Sequence, residues 1–172
     1  HGVSSIFIAG GTGEFFSLDE EDFREIVEVS VATVKGRVPV IAAAGRSVKD
    51  ASKFSNIAAE AGCDGILLMP PFLTECPEDG IVEYATAVMQ SADIQFVYYN
   101  RGNGILSAES VKELAARNPN MVGLKDGVGN IAALNDTIKT VGDRLVYIGG
   151  VPKAEIFAEA YLSIGVNTYS SA

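Results

Sequence analysis

Lys125 closes the apolar run Met121-Val122-Gly123-Leu124-Lys125 and is followed by Asp126-Gly127. Burying an ammonium is costly, so a lysine in such a place has two fates. Burial lowers its pKa and yields a free amine that attacks a carbonyl, or it snorkels to solvent or pairs with Asp126. Gly123, on the same strand face two residues earlier, leaves space beside it. The preceding apolar run ends Tyr98-Tyr99-Asn100-Arg101-Gly102-Asn103-Gly104. Successive strand side chains point to opposite faces, so one of Tyr98 and Tyr99 can turn its hydroxyl inward and relay protons while the other packs against helices. Two core aromatics are the competing reading. Asn100 and Arg101 offer donors to a carboxylate, and Arg101 equally suits a solvated loop.

Upstream, Gly10-Gly11-Thr12-Gly13-Glu14 follows the first apolar run. Glycines let backbone N–H groups approach an anion and Thr12 adds a hydroxyl; a tight turn that merely needs glycine is the alternative. The spacing is not the dinucleotide-binding GxGxxG. Pro70-Pro71-Phe72-Leu73 reads as a rigid loop, and Gly149-Gly150-Val151-Pro152 and Ser170-Ser171 close the last two runs. Paired glycines and serines at these ends could bind a polar substrate. Asp19 to Asp22 read as a first-turn helix cluster, where negative charge is favourable.

Other chemistries are poorly served. The single histidine is His1, a weak candidate for the positioned imidazole of a Ser-His-Asp mechanism. There is no histidine cluster for zinc or iron and no CxxC. Cys63 and Cys76 do not make a disulfide framework, and the expectation is reduced thiols in the cytoplasm.

These residues must be positioned by a regular framework. Val3–Ala9, Val38–Ala44, Gly65–Met69, Ile94–Tyr99, Met121–Lys125, Leu145–Ile148 and Val166–Ser170 are short runs rich in Val and Ile. Their near-continuous apolar character suits strands buried on both faces of a parallel sheet. Amphipathic helices fall between them. Ser17 with Glu20 forms a capping box, and Gly36 ends that helix. Ser47, Ser107 and Asn130 open others, Pro77 sits in a first turn, and Ala154–Ile164 is the sixth. Strict alternation implies a parallel sheet with right-handed crossovers. A doubly wound open sheet competes with a (β/α)8 barrel. Seven strands, beginning and ending on a strand, favour a single barrel domain covering strands two to eight of a longer protein. The first strand and the C-terminal helices are then expected to be missing, leaving two exposed sheet edges.

The chain has 172 residues, 48% hydrophobic and 20% charged, which suits one domain with a sizeable core. A net charge of −9 disfavours partners with phosphate backbones or anionic lipid surfaces. No apolar run is long enough to span a membrane.

Taken in order, Gly10-Gly11-Thr12-Gly13-Glu14, Tyr99-Asn100 and Gly123-Leu124-Lys125-Asp126 resemble the dihydrodipicolinate synthase and N-acetylneuraminate lyase superfamily. The resemblance covers essentially the whole chain. It implies a (β/α)8 barrel in which a strand-six lysine forms a Schiff base with a 2-keto acid, with no cofactor and no metal. Lys125 matches that lysine, and Tyr99 matches the tyrosine that shuttles protons. Gly11 and Thr12 match the positions that hold the keto-acid carboxylate, with Gly10 beside them. The GGTGEFFSL, YYNRGNG, GLKDGVGN and YSSA stretches are most similar to a branch that dehydrates and decarboxylates a six-carbon keto diacid. Asn100, Arg101 and Ser170 are then candidate substrate ligands. The synthases usually carry threonine at the Gly11 position and a second relay tyrosine where this chain has Phe72 and Leu73, so the synthase relay is absent. Lys153 stands where that branch would be expected to carry a small hydroxyl residue, and no substrate role is given to it. The resemblance further implies a homo-oligomer when full length. A 2-keto-3-deoxy sugar acid aldolase and a non-catalytic keto-acid-binding barrel are the rival readings.

Overall fold

A computed structural model describes residues 2–71, 75–152 and 154–170. Strands β1 (Ile6–Ile8), β2 (Val40–Ala44), β3 (Gly65–Leu68), β4 (Gln95–Asn100), β5 (Met121–Asp126), β6 (Val146–Gly149) and β7 (Thr168–Tyr169) alternate with helices. The helices are α1 (Glu20–Val34), α2 (Val48–Glu60), α3 (Glu78–Met89), α4 (Ala108–Arg117), α5 (Ile131–Val141) and α6 (Ala158–Ser163). The sheet order is the chain order, β1 to β7, and every neighbouring pair is parallel. A doubly wound sheet reverses direction partway along its order. Here each crossover advances one strand the same way, so the sheet curls as barrel wall. The described fold is a seven-stranded parallel α/β half-barrel, consistent with an incomplete (β/α)8 barrel.

Consecutive helices pack on one another around that wall, from α1 against α2 to α4 against α5. The sheet is driest in its middle. Gly65–Leu68 of β3 is buried throughout, whereas all three residues of β1 are only half-buried. Among the described residues β1 and β7 each pair with one strand only, and both are shorter than the apolar runs that contain them.

Local signals set most helix starts. The side chains of Ser47, Ser107 and Asn130 accept from the backbone N–H three residues on and cap α2, α4 and α5. The Ser17 capping box does not form. Phe15–Ser17 winds into a 3-10 turn, and Asp19 caps α1 by accepting from the Asp22 N–H. Phe15 explains the shift, because its fully buried ring packs edge-to-face on Phe54 and, more distantly, on Phe23. Pro77 is the cap residue of α3 rather than part of its first turn. The sixth helical segment is split, a 3-10 turn over Ala154–Phe157 and then α6.

The segment after β1 is tied down from outside the barrel. The Arg46 guanidinium lies over the rings of Phe15 and Phe54, at 5.0 and 5.1 Å. It donates to the carbonyls of Phe15 and Leu18 at 2.8 and 2.7 Å. That clamp fixes the far end of the glycine-rich loop whose near end leaves β1. Cys63 and Cys76 are both free thiols, and burial with the neighbouring Asp64 pushes Cys63 up to about 11.

Candidate active site

The C-terminal ends of the strands surround a cavity of about 1590 Å³. That exceeds the roughly 300–1,000 Å³ usual for a small-molecule pocket, because the space runs out between the β1 and β7 edges. Its walls come from the loops after β1, β3, β4, β5 and β6, with Lys125 and Tyr99 among them.

Tyr99 and Lys125 are register partners on β4 and β5, so the backbone ladder itself sets the phenol beside the amine. Lys125 is buried, and its Nζ lies between two ring faces, 4.6 Å from the centroid of Tyr99 and 4.7 Å from that of Phe7. Burial, helped by the Arg101 guanidinium, lowers its pKa from 10.5 to about 8. At pH 7 such an amine is free about one time in ten, against about one in three thousand for an ordinary lysine. Asp126 does not pair with it. The next residue along a strand points the other way, and the Asp126 carboxylate accepts from Val128 N, Gly129 N and the Tyr161 hydroxyl at 3.1, 3.1 and 2.9 Å.

The Tyr99 hydroxyl donates to the Gly150 carbonyl at 3.1 Å. Arg101 stacks on the same ring, its guanidinium carbon 5.2 Å from the centroid and Nη1 3.5 Å from the hydroxyl oxygen. The neighbouring Tyr98 turns outward, is fully buried and donates to the Gly104 carbonyl. The choice the sequence left open between the two tyrosines is thus resolved by strand parity.

Gly10, Gly11 and Thr12 form the cavity rim after β1. The turn closes through Glu14 N to Gly11 O and Phe15 N to Gly10 O, at 3.3 and 3.1 Å. Ala9 and Glu14 flank it in left-handed conformations, with φ of 48° and 56°, a strain that L residues adopt only where surroundings impose it. Among the described residues nothing accepts from the amides of Gly11 and Thr12, so they are free to meet an anion. Arg101 faces the same space, its Nη1 3.7 Å from where a Cβ on Gly11 would lie.

Two candidate ligands fare differently. Ser170 lines the cavity, held by its backbone N–H on Gly149 O at 2.8 Å. Asn100 does not line it. Its side-chain oxygen accepts from Leu106 N at 2.8 Å, which folds the loop over residues 101–106 back on β4, so the structure makes it a loop anchor. Phe72, Leu73, Lys153 and Ser171 lie outside the described residues. Phe7 and the Gly150 carbonyl escaped the sequence reading as site groups. Strand parity counted back from the glycine loop was the only signal for Phe7. Gly150 was marked only as one of two paired glycines that could bind a polar substrate, and nothing singled out its carbonyl, since a carbonyl is available at every residue. Among the described residues no group of three or more His, Cys, Asp or Glu could hold a metal ion. No described helix is long and apolar enough to cross a membrane.

The family model for the dihydrodipicolinate synthetase family matches residues 1–172. A probable 5-dehydro-4-deoxyglucarate dehydratase from Bradyrhizobium sp. (strain BTAi1) is 47% identical over 170 residues, which is 99% of this chain and 54% of that protein. The 5-dehydro-4-deoxyglucarate dehydratase of Pseudomonas putida is 44% identical over 172 residues, covering 100% and 57%. Among solved structures, a dihydrodipicolinate synthase from Aquifex aeolicus superposes with a TM-score of 0.91 at 25% identity over 99% of this chain and 59% of that one. A prophage protein of the same family from E. coli K12, solved with pyruvate, gives 0.90 at 28% identity, covering 99% and 58%. The chain thus spans little more than half the length of the relatives it matches.

Proposed function

The chain belongs to the dihydrodipicolinate synthetase family, and on that footing we propose that it carries the active site of a Schiff-base hydro-lyase. The reaction is conversion of 5-dehydro-4-deoxy-D-glucarate to 2,5-dioxopentanoate, water and CO2. The observation that carries the reading is the buried amine of Lys125, held against the ring of Tyr99 and tuned to about 8. The choice of substrate rests on the names of relatives 44–47% identical over nearly the whole chain. The fold supports strands β1 to β7 as the second to eighth of a single barrel domain, since Lys125 on β5 then falls on the sixth strand.

The free amine of Lys125 attacks the ketone, and the carbinolamine loses water to give an iminium. The amides of Gly11 and Thr12 and the Thr12 hydroxyl hold the carboxylate next to that ketone. Tyr99 moves protons at the carbinolamine, its hydroxyl resting on Gly150 O between turnovers. The iminium withdraws electrons, so the adjacent methylene loses a proton and the hydroxyl one carbon further leaves as water. The resulting conjugated iminium accepts the electron pair released when the far carboxylate departs as CO2. The dienamine-enol left behind takes up a proton at the former methylene carbon, which restores the iminium. Its enol shifts the hydroxyl proton to carbon to become an aldehyde, and water hydrolyses the iminium to return Lys125. Arg101 and Ser170, both facing the cavity, are placed to hold the far carboxylate and hydroxyls. The partner is a small keto diacid, and the family resemblance extends the proposal to a cytoplasmic homo-oligomer.

The test is to incubate the full chain with 5-dehydro-4-deoxy-D-glucarate, following CO2 release and, in parallel, borohydride trapping. CO2 with an adduct on Lys125 is the expected result. Pyruvate without CO2 would identify an aldolase instead, and no adduct with no product would leave a binding barrel.

A further inference from the structure

Two glycines beside the reactive side chains are not glycine for conformational reasons. Neither Gly127 nor Gly150 has a left-handed backbone. What both positions lack is room. A Cβ on Gly150 would lie 2.5 Å from Lys125 Cε, 2.7 Å from its Cγ and 2.8 Å from the Asp126 carbonyl oxygen. A Cβ on Gly127 would lie 2.8 Å from Tyr99 Cε2, 2.8 Å from Arg101 Cβ and 3.3 Å from Tyr99 Cζ. Non-bonded carbons rest at about 3.5–4.0 Å, so either methyl group forces a displacement. The backbone is poorly placed to yield. Gly127 N donates to Asn100 O at 2.9 Å and Gly150 N to Asp126 O at 2.7 Å, which continue the sheet ladder past the ends of β4 and β5. The Asp126 carbonyl has to give under a Cβ on Gly150, and with the backbone so tied the rest of the strain falls on the side chains, which are the amine and the phenol of the reaction.

We propose that Gly127 and Gly150 are positioning residues, the bare Cα of Gly150 forming the wall for the Lys125 stem and that of Gly127 the wall for the Tyr99 ring. Together they set how the amine meets the phenol. The proposal rests on the Schiff-base reading of Lys125 and adds what holds its geometry. Gly150 acts twice, because its carbonyl also receives the Tyr99 hydroxyl.

A misplacement of about 1 Å costs on the order of 100-fold in rate. In the full chain, Gly150→Ala is therefore expected to slow borohydride trapping with pyruvate, a simple 2-keto acid probe, by about that factor. Its KM for the keto diacid should stay within about threefold of wild type, because the glycine loop after β1 is untouched. The trapping rate against pH should shift its midpoint, since the lysine is pushed from its slot between Phe7 and Tyr99. Gly127→Ala should lower the plateau of the same profile. Thermal unfolding followed in parallel separates these effects from destabilisation. A lowered Tm with wild-type trapping per folded molecule would overturn the proposal, as would wild-type rates in both variants. If Gly150→Ala does not fold, Gly127→Ala decides: an unchanged plateau overturns the paired role. Failure of the wild type itself to trap pyruvate would instead bring down the Schiff-base reading.

Discussion

The two faces of β4 and β5 carry similar residues and treat them in opposite ways. On the outer face Tyr98 donates to Gly104 O, Asn100 accepts from Leu106 N, and Asp126 accepts from three donors. Each of those polar groups is matched, and burial pushes the Tyr98 hydroxyl up, away from any titration near neutrality. On the inner face Lys125 has no hydrogen-bond acceptor among the described residues. Among the described residues Tyr99 has a single carbonyl partner, and a guanidinium stands at the edge of hydrogen-bond range. A buried polar group with its partners in place is framework, because breaking it leaves an unpaired atom. One left short of partners is free to gain them from a substrate. Strand parity alone decides which fate a residue meets, so chemically similar neighbours are divided between stability and reaction.

The sharpest way to break that contrast is to replace the amine. Lys125→Met is expected to abolish turnover and borohydride trapping, because no other group supplies the electron sink. It should leave the protein as stable as wild type or more so at pH 7, since a buried ammonium is replaced by an apolar chain of similar shape. Activity and thermal unfolding measured on one preparation check both halves. A variant that loses activity only by unfolding would put Lys125 with the framework. The tyrosines extend the test. Tyr99→Phe should lower kcat by about 10²–10⁴-fold, the usual range for a general acid–base group, with little change in stability. Tyr98→Phe should do the reverse, losing about 1 kcal/mol in denaturant unfolding with near-normal rates. Equal effects on rate would refute the division by face.

How much of this division the sequence disclosed depends on the distance over which each signal acts. The lysine closing an apolar run, the adjacent tyrosines and the side-chain caps at Ser47, Ser107 and Asn130 are local, and each was readable. Ser17 misled because two capping patterns overlap within six residues, and Phe15, seated in the distant Phe23–Phe54 cluster, selected Asp19. Asn100 misled because its partner is a backbone N–H six residues away, in a loop whose path no local pattern states. Strand order decides between barrel wall and doubly wound sheet, and it is a property of the whole chain. The crowding at Gly127 and Gly150 is also non-local. It arises where loops after β5 and β6 meet side chains of β4 and β5, and a glycine needed for space looks like one needed for a turn.

A pH titration sharpens the comparison without changing the fold. The reactive form of Lys125 is the free amine, so kcat/KM should rise with pH and level off near 8, the value to which burial and Arg101 bring it. Arg101→Met removes the neighbouring positive charge and should move that break upward, along with any loss of affinity for the far carboxylate. An unmoved break would show that burial alone sets the amine. Stability carries the same signature. Between about pH 8 and 10.5 the unfolded chain binds a proton at this lysine that the folded chain does not. Folding free energy is therefore fully free of the penalty only above that window and is lost as pH falls through about 8. Lys125→Met should flatten this slope in denaturant unfolding across the window.

The smallest expected effect on rate lies on the outer face, behind the lysine. Tyr161 is buried, and its hydroxyl donates to Asp126 Oδ2, which also accepts from Gly129 N, while Oδ1 accepts from Val128 N. Removing the hydroxyl in Tyr161→Phe leaves each carboxylate oxygen one backbone donor. The charge stays satisfied, and the loss is a single hydrogen bond of about 1–2 kcal/mol. The loop over residues 127–129 keeps its two N–H anchors, so Gly127 keeps its place against Tyr99 and the rate should change by less than about twofold. Denaturant unfolding and steady-state rates on Tyr161→Phe check this. A large loss of rate with an intact fold would mean that the outer face reaches the reaction through Asp126, and the two faces of β5 would no longer be separable.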